Sequence, residues 1–251
     1  IGGEYILRNK IDTGIGLAYE QFNAIDLPRF KDETYSVYIP LRYTSNKHRI
    51  NAEAFYNQNK FEGLDAYSDT GLSFNYSYLE TQYLLGFVGS TAAKTSLNSS
   101  FDYKTGTYNS ARLVAARYID ELTVSANAGY EQTLSGDQPW VGNVLPYANK
   151  TARYGLSLSY EFNKVSKLGL RTSLALKNYT NKISPQNIYR DDKTNSYVVV
   201  YQHVFNNNVS AYLQQSLIKN NSNYDDTTFA SFVNKNYTEN LTTLGISLLT
   251  Y

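Results

Sequence analysis

Cysteine is absent from the 251 residues, so this chain has no disulfide framework, thiolate nucleophile or thiolate metal site. Long hydrophobic runs are absent too. No stretch of about 18 apolar residues occurs, which excludes a membrane-spanning helix. Neither sign of charge dominates: 23 Lys and Arg against 22 Asp and Glu leave a net charge of +1. The basic residues are scattered rather than clustered, which argues against a nucleic-acid partner. Histidine is scarce, with only His48 and His203 available as catalytic bases. The chain opens at Ile1 without a basic segment followed by an apolar one. A mature chain whose signal peptide has been removed, or a piece of a longer chain, is therefore expected.

What is abundant is aromatic. Hydrophobic residues make up 42% of the chain, but 25 Tyr and 11 Phe dominate them, and the mean hydropathy is −0.45. That composition does not suit a conventional aliphatic core. No linker-like segment divides the sequence, so residues 1–251 are read as one domain.

The informative signal is strict alternation, the period-two mark of a strand with two unlike faces. From Thr151 to Phe162, Tyr154, Leu156, Leu158, Tyr160 and Phe162 oppose Arg153, Gly155, Ser157, Ser159 and Glu161. Leu72, Phe74, Tyr76 and Tyr78 oppose Asp69, Gly71, Ser73, Asn75 and Ser77 in the same way. A third run sets Leu122, Val124, Ala126, Ala128 and Tyr130 against Thr123, Ser125, Asn127, Gly129 and Glu131.

The breaks between runs alternate in length. Short turns are expected at Ser45–Lys47, Glu80–Thr81, Asp120–Glu121, Asn163–Ser166 and Asn206–Asn208. Longer connections are expected at Ala24–Glu33, Asn59–Ala66, Ala92–Tyr108 (long enough to hold a hairpin), Ser135–Lys150, Lys182–Asp192 and Tyr224–Lys235. This asymmetry, with tight turns at one end and longer loops at the other, is that of a transmembrane up-and-down antiparallel β-barrel. The runs number about twelve, an even count that would return both termini to the periplasm.

A soluble sandwich or lipocalin-like barrel would turn its apolar face inward. Size argues for the reverse here, because a barrel of about twelve strands is too wide for Leu and Tyr to fill, whereas Ser, Asn, Arg and Glu can hold water. Its backbone groups would pair between strands, so only every second residue has to meet lipid. Tyr43, Tyr56, Tyr78, Tyr118, Tyr130, Tyr160 and Phe162 are placed near strand ends, where amphipathic rings suit a lipid–water interface. Pro40, inside the run Tyr35–Tyr43, removes an N–H and suggests a bulge or an interrupted strand. The expected location is the bacterial outer membrane, with its lipid as the first partner.

Two resemblances follow from particular residues. Arg190-Asp191-Asp192 before a strand, Tyr201 and Phe205 within it, Asn221-Ser222-Asn223 ending the next, and Asn240 with Leu244-Gly245 in the last resemble outer-membrane barrels linked to tetratricopeptide repeats. That resemblance implies export of polysaccharide or lipoprotein with periplasmic partners, although no helical repeat is present here. Leu241 to Tyr251, ending on an aromatic residue, resembles the terminal strand signal of outer-membrane barrels, with Gly245 one residue off the usual spacing. In size and strand count the chain also resembles small porins that admit oligosaccharides.

If the polar faces line a lumen, the projecting charges are Glu20, Arg42, Arg49, Glu53, Asp69, Glu131, Arg153, Glu161, Arg171 and Lys177. Opposed acidic and basic walls would impose a transverse field and a selectivity on passing ions. Arginine favours carboxylated or phosphorylated solutes. The other reading is that these charges pair across strands and satisfy one another. Hydrolysis is not expected, because His48 is placed in a short turn and His203 near a strand end on the same side. Asp191-Asp192 and Asp225-Asp226 are read as solvated loop carboxylates, and no metal or cofactor site is expected. Trp140 is read as the anchor of a folded loop. The leading expectation is a passive channel, the alternative an export or assembly barrel, and the third a plugged adhesive barrel displaying its long loops.

Overall fold

A computed structural model describes residues 2–6, 10–23, 31–100, 105–135, 148–183, 188–206, 209–223 and 236–248. They form a single antiparallel sheet of thirteen strands: β1 (Gly2–Ile6), β2 (Ile11–Asn23), β3 (Lys31–Thr44), β4 (His48–Phe61), β5 (Leu64–Leu79), β6 (Tyr83–Ser96), β7 (Gly106–Ile119), β8 (Leu122–Ser135), β9 (Asn149–Asn163), β10 (Ser166–Ile183), β11 (Ile188–Asn206), β12 (Val209–Ser222) and β13 (Tyr237–Leu248). Each strand pairs only with its neighbours in sequence, which is up-and-down topology. Twelve strands are long and β1 has five residues, so the expected dozen is present with a short strand added at one edge.

That extra strand changes the parity. β1 enters the sheet opposite Gly16, in mid-wall, and runs towards the short-turn side, as β13 does. Return of both termini to one side is therefore not supported. Among the described residues no pairing joins β13 to β1 or β2.

The two faces differ as alternation requires. The only buried hydrophobic residues among those described are Ala66 and Ala148, while Leu244, Ile246 and Leu113 are 73%, 68% and 64% exposed. A soluble sheet would cover such a face with a second layer, since burial contributes about 25 cal/mol per Å² of apolar surface. Here no second layer exists among the described residues, so contact with lipid is what satisfies this face. Its pattern is banded. On β3 the outward residues are Tyr35, Val37, Ile39, Leu41 and Tyr43, and at a rise of about 3.3 Å per residue the two tyrosines stand roughly 26 Å apart. A membrane barrel presents an apolar band about 25 Å tall between aromatic girdles. At the long-loop edge Tyr19 lies 5.0 Å from Tyr35, and its hydroxyl donates to Gln21 and Glu33. At the short-turn edge the ring pairs are His48–Tyr78, Tyr160–Phe162 and His203–Phe205. Tyr118 departs from the expectation, because its pairing with Thr123 puts it on the polar face.

The short turns fall where expected, between β3 and β4, β5 and β6, β7 and β8, β9 and β10, and β11 and β12. Three long connections contract. The expected loop 59–66 is a two-residue turn at Glu62 and Gly63, both at positive φ (52° and 80°), which closes β4 onto β5. Asn59, Lys60, Glu62, Gly63 and Asp65 gave the segment the look of a loop, because both strands leave the apolar band there. β6 and β7 pair from Tyr83↔Arg117 to Lys94↔Gly106, so no further hairpin lies between them among the described residues. β10 and β11 extend to Ile183 and from Ile188, well into the expected loop 182–192. Pro40 causes no bulge. Its register with β4 is continuous at Glu53, and the missing bonds fall towards β2, where the Thr13 hydroxyl donates to the Pro40 carbonyl at 2.8 Å. Trp140 and Asp225-Asp226 lie outside the described residues.

Adjacent turns are tied by charge. Lys47 Nζ lies 2.7 Å from Glu80 Oε2, and Tyr78 donates to the same oxygen at 2.7 Å. The hydrogen bond from Lys47, followed by that from Tyr78, holds the Glu80 carboxyl below its ordinary range, and the same pair raises Lys47. A lowered carboxylate stabilises above its ordinary pKa and loses that effect as pH falls through the lowered value. A raised lysine loses its effect as pH rises through the raised value. Native protein and a Glu80→Gln variant should therefore differ slightly in urea midpoint between these limits and converge outside them. Unfolding in lipid vesicles across the pH range checks this.

Candidate lumen wall

All ten charges expected to project from the polar faces share one face of the sheet. The cross-strand row Asp12, Arg42, Asn51, Asn75, Val88, Arg112, Gly129 and Arg153 fixes that face from β2 to β9. Further pairings carry it through Ala175, Thr194 and Asn220 to β12. Glu20, Glu53, Asp69, Glu131, Glu161, Arg49, Arg171 and Lys177 lie on the same side by parity. The face also holds charges that the sequence reading did not single out: Asp12, Asp32, Lys94, Arg112, Lys167, Arg190, Asp192 and Glu239. Parity along strands beyond the three alternating runs named above, as for Asp12 in β2, Lys94 in β6 and Arg112 in β7, is the signal that would have found them.

The charges are segregated. β2 to β5 carry Asp12, Glu20, Asp32, Glu53 and Asp69 with only Arg42 and Arg49 among them. β7 to β11 carry Arg112, Arg153, Lys167, Arg171, Lys177 and Arg190, with Glu131, Glu161 and Asp192. Neighbouring strands neutralise part of this. Lys94 meets Asp69 at 3.5 Å, Arg153 Nε donates to Glu131 at 2.8 Å, and Lys167 donates to Glu161 at 3.1 Å. Pairing across strands therefore accounts for some of the ten candidates and leaves others, Arg171 among them, without a counter-ion among the described residues.

Asp191 and Asp192 are not loop carboxylates, because both lie within β11, and Arg190 with them. Asp192 is 8% exposed and Arg190 4%. The guanidinium is bidentate, donating from Nε to Asp192 Oδ1 at 2.8 Å and from Nη2 to Oδ2. It also stacks 4.6 Å from the centre of the Tyr179 ring, over which Lys177 Nζ lies at 4.7 Å. Asp191, one residue away, points to the other face and accepts from Asn178 at 2.8 Å. The run Arg190-Asp191-Asp192, at the end of the expected loop 182–192, looks like a loop in sequence. It is the continuation of the alternating face past the end of the apolar band.

Aromatic side chains also stand on the polar face, which the sequence contrast did not suggest. Tyr38 covers Gly16, and Tyr212 covers Gly245, so closely that a Cβ at either glycine would fall 2.0 and 2.2 Å from the ring. Gly245 thus makes room for the ring of its cross-strand partner Tyr212. Two hollows open beside such small residues. One, about 250 Å³, is bounded by Phe55, Asp69, Lys94 and Tyr108, and the other, about 330 Å³, by Asn127, Gly155, Arg171 and Ser173.

Both histidines lie on the apolar face near the short turns. His48, the first residue of β4 rather than a turn residue, shares a 3.0 Å hydrogen bond with the Tyr76 hydroxyl. His203 shares one of 2.9 Å with Ser166 Oγ, and no carboxylate contacts it among the described residues.

No protein-family model matches the sequence, and no curated protein matches it. Among solved structures the chain is similar to OmpT, an outer membrane protein of Vibrio cholerae, with a TM-score of 0.51 at 7% identity over 94% of this chain and 97% of that one. A loop-deletion mutant of the same protein gives a TM-score of 0.51 at 6% identity, over 94% and 90%. The CymD monoaromatic hydrocarbon channel gives a TM-score of 0.46 at 12% identity, over 97% and 80%. At such identities what is shared is architecture. The lipid-banded face, the up-and-down sheet and the likeness to OmpT together show that the chain has the fold of an outer-membrane β-barrel.

Proposed function

We propose that this chain forms a channel in the bacterial outer membrane through which small polar solutes, oligosaccharides and anions among them, pass without chemical change. The observation that carries the reading is the segregation of charge on a single polar face. In a barrel of twelve long strands, the acidic stretch β2–β5 and the basic stretch β7–β11 stand on opposite sides. The field between them orients polar solutes, and ring-like arrays of charge set ion selectivity. Glu20, Arg42, Arg49, Glu53, Asp69, Glu131, Arg153, Glu161, Arg171 and Lys177 are then the pore-lining residues. Among the described residues of the basic side, Glu131, Glu161 and Asp192 are paired while Arg112 and Arg171 are not, and this surplus of guanidinium groups favours anions. Lipid is the one partner that this role requires.

Single-channel recording of the purified protein in a planar lipid bilayer tests the reading. Stable open steps with a reversal potential on the anion side are expected, and Arg153→Glu should move that potential towards cations. Insertion without conductance would overturn the reading in favour of an export or assembly barrel that opens only with periplasmic partners.

A further inference from the structure

We infer that the hollow around Arg171 is an oxyanion-binding subsite, a station for a carboxylate or phosphate group on the basic wall. The inference rests on the channel reading only for its purpose and not for its geometry. Five neighbouring positions supply hydrogen-bond donors and no negative charge. Arg171 on β10 stands between Ser157 on β9 and Val198 on β11. In the next polar row, Asn127, Gly155, Ser173 and Ser196 follow one another across β8 to β11. These residues line one hollow of about 330 Å³.

Three features make this more than a patch of small residues. The first is the state of the arginine. The nearby carboxylates are already engaged, Glu131 by Arg153 and Glu161 by Lys167. Arg171 has no ion pair or hydrogen bond among the described residues. A guanidinium presents a planar fork of donors that matches carboxylate and phosphate bidentately.

The second feature is Gly155. A Cβ there would sit 2.6 Å from Asn127 Nδ2, so the absence of a side chain on β9 is what lets the Asn127 amide lie across the strand beside the hollow. The third is the character of the other groups. Ser173 and Ser196 carry hydroxyls that donate to an anion without bringing a charge of their own. Ser157 is hydrogen-bonded to Ser125 at 2.7 Å, and with the Ser125 hydroxyl as donor the Ser157 O–H is left to donate to an anion. A fixed cation ringed by neutral donors is the arrangement that selects an oxyanion over a halide, because donors must reach two or more oxygens at once.

The test uses the refolded full chain in detergent micelles, with inorganic phosphate and glucuronate as separate probes, and reads equilibrium binding by titration calorimetry. Saturable binding of at least one probe is expected. Arg171→Gln should weaken it roughly ten- to a hundredfold, the usual range for a charge-assisted bond. Gly155→Val, which evicts the Asn127 amide while keeping every charge, should weaken it by a smaller factor. Lys164→Gln, in the short turn between β9 and β10 and away from the wall, should leave it unchanged. If only glucuronate binds, the subsite takes carboxylated sugars, and if only phosphate binds, it takes phosphorylated ones. Equal losses in Arg171→Gln and Lys164→Gln would show general charge attraction and overturn the subsite. So would failure of both probes to bind. Because binding is read without current, a protein that binds but does not conduct would overturn the channel reading alone, and one that conducts but does not bind would overturn the subsite alone.

Discussion

Replacing Asp192 with alanine is expected to destabilise the barrel by about 3–5 kcal/mol, the largest effect of any single substitution considered for this chain. Arg190 and Asp192 are 4% and 8% exposed and face each other along one strand through two hydrogen bonds. Removing the carboxylate leaves a guanidinium that cannot lose its proton and cannot reach water without displacing Tyr179, whose ring lies 4.6 Å from it. The Tyr179 hydroxyl also loses its long contact to Asp192 at 3.4 Å. The control is the double replacement Arg190→Met with Asp192→Leu. It removes both charges and keeps the volume, so it should recover most of the loss, since a buried ion pair contributes little beyond an apolar pair of similar size. Urea unfolding of protein folded into lipid vesicles measures both variants. A cost below about 1 kcal/mol for Asp192→Ala would mean that water reaches the pair and that the wall is open there.

The second large effect decides which face meets lipid. Leu72 stands in the cross-strand row of Ile39 and Ala54, midway between the Tyr35 and Tyr43 girdles of β3, and is 58% exposed. Leu72→Arg should cost about 2–4 kcal/mol, the range for a cation at the middle of a membrane barrel's outer surface. Ser73, the next residue, points to the other face, where Glu53 is its direct cross-strand partner. Ser73→Arg should cost less than about 1 kcal/mol, because water solvates a lumen side chain and a carboxylate stands beside it. The contrast between adjacent positions, measured by the same unfolding experiment, tests the sidedness directly. Equal costs would mean that both faces are wet or both are buried, and would sink the lipid assignment.

The two effects also separate two kinds of polar residue on the wall. Asp192 has its charge buried and satisfied at the long-loop end, where the wall is thick with Thr151, Tyr179 and Asn220. Arg171 sits in mid-wall with no counter-ion among the described residues. The first kind holds the barrel together, and the second is available to a solute.

Alternation carried most of the fold. Tyr154 to Phe162 or Leu72 to Tyr78 can satisfy a period of two only as strands with one apolar and one polar side, and short polar breaks at 45–47, 80–81 and 120–121 can join such strands only as tight turns. The sequence by itself thus determined the strands, their sidedness and the face on which all ten candidate charges lie, because each of these is a local consequence of side-chain parity. Strand ends escaped it. Past the apolar band a paired strand and a loop are both polar, so Asn59–Ala66 and Lys182–Asp192 read alike until pairing showed a two-residue turn in one and the buried Arg190–Asp192 pair in the other. Only the tertiary structure decided which charges neutralise each other, why Gly245 and Gly155 must lack side chains, and that Arg171 stands alone among donors, since each depends on register between strands and not on the order of residues within one.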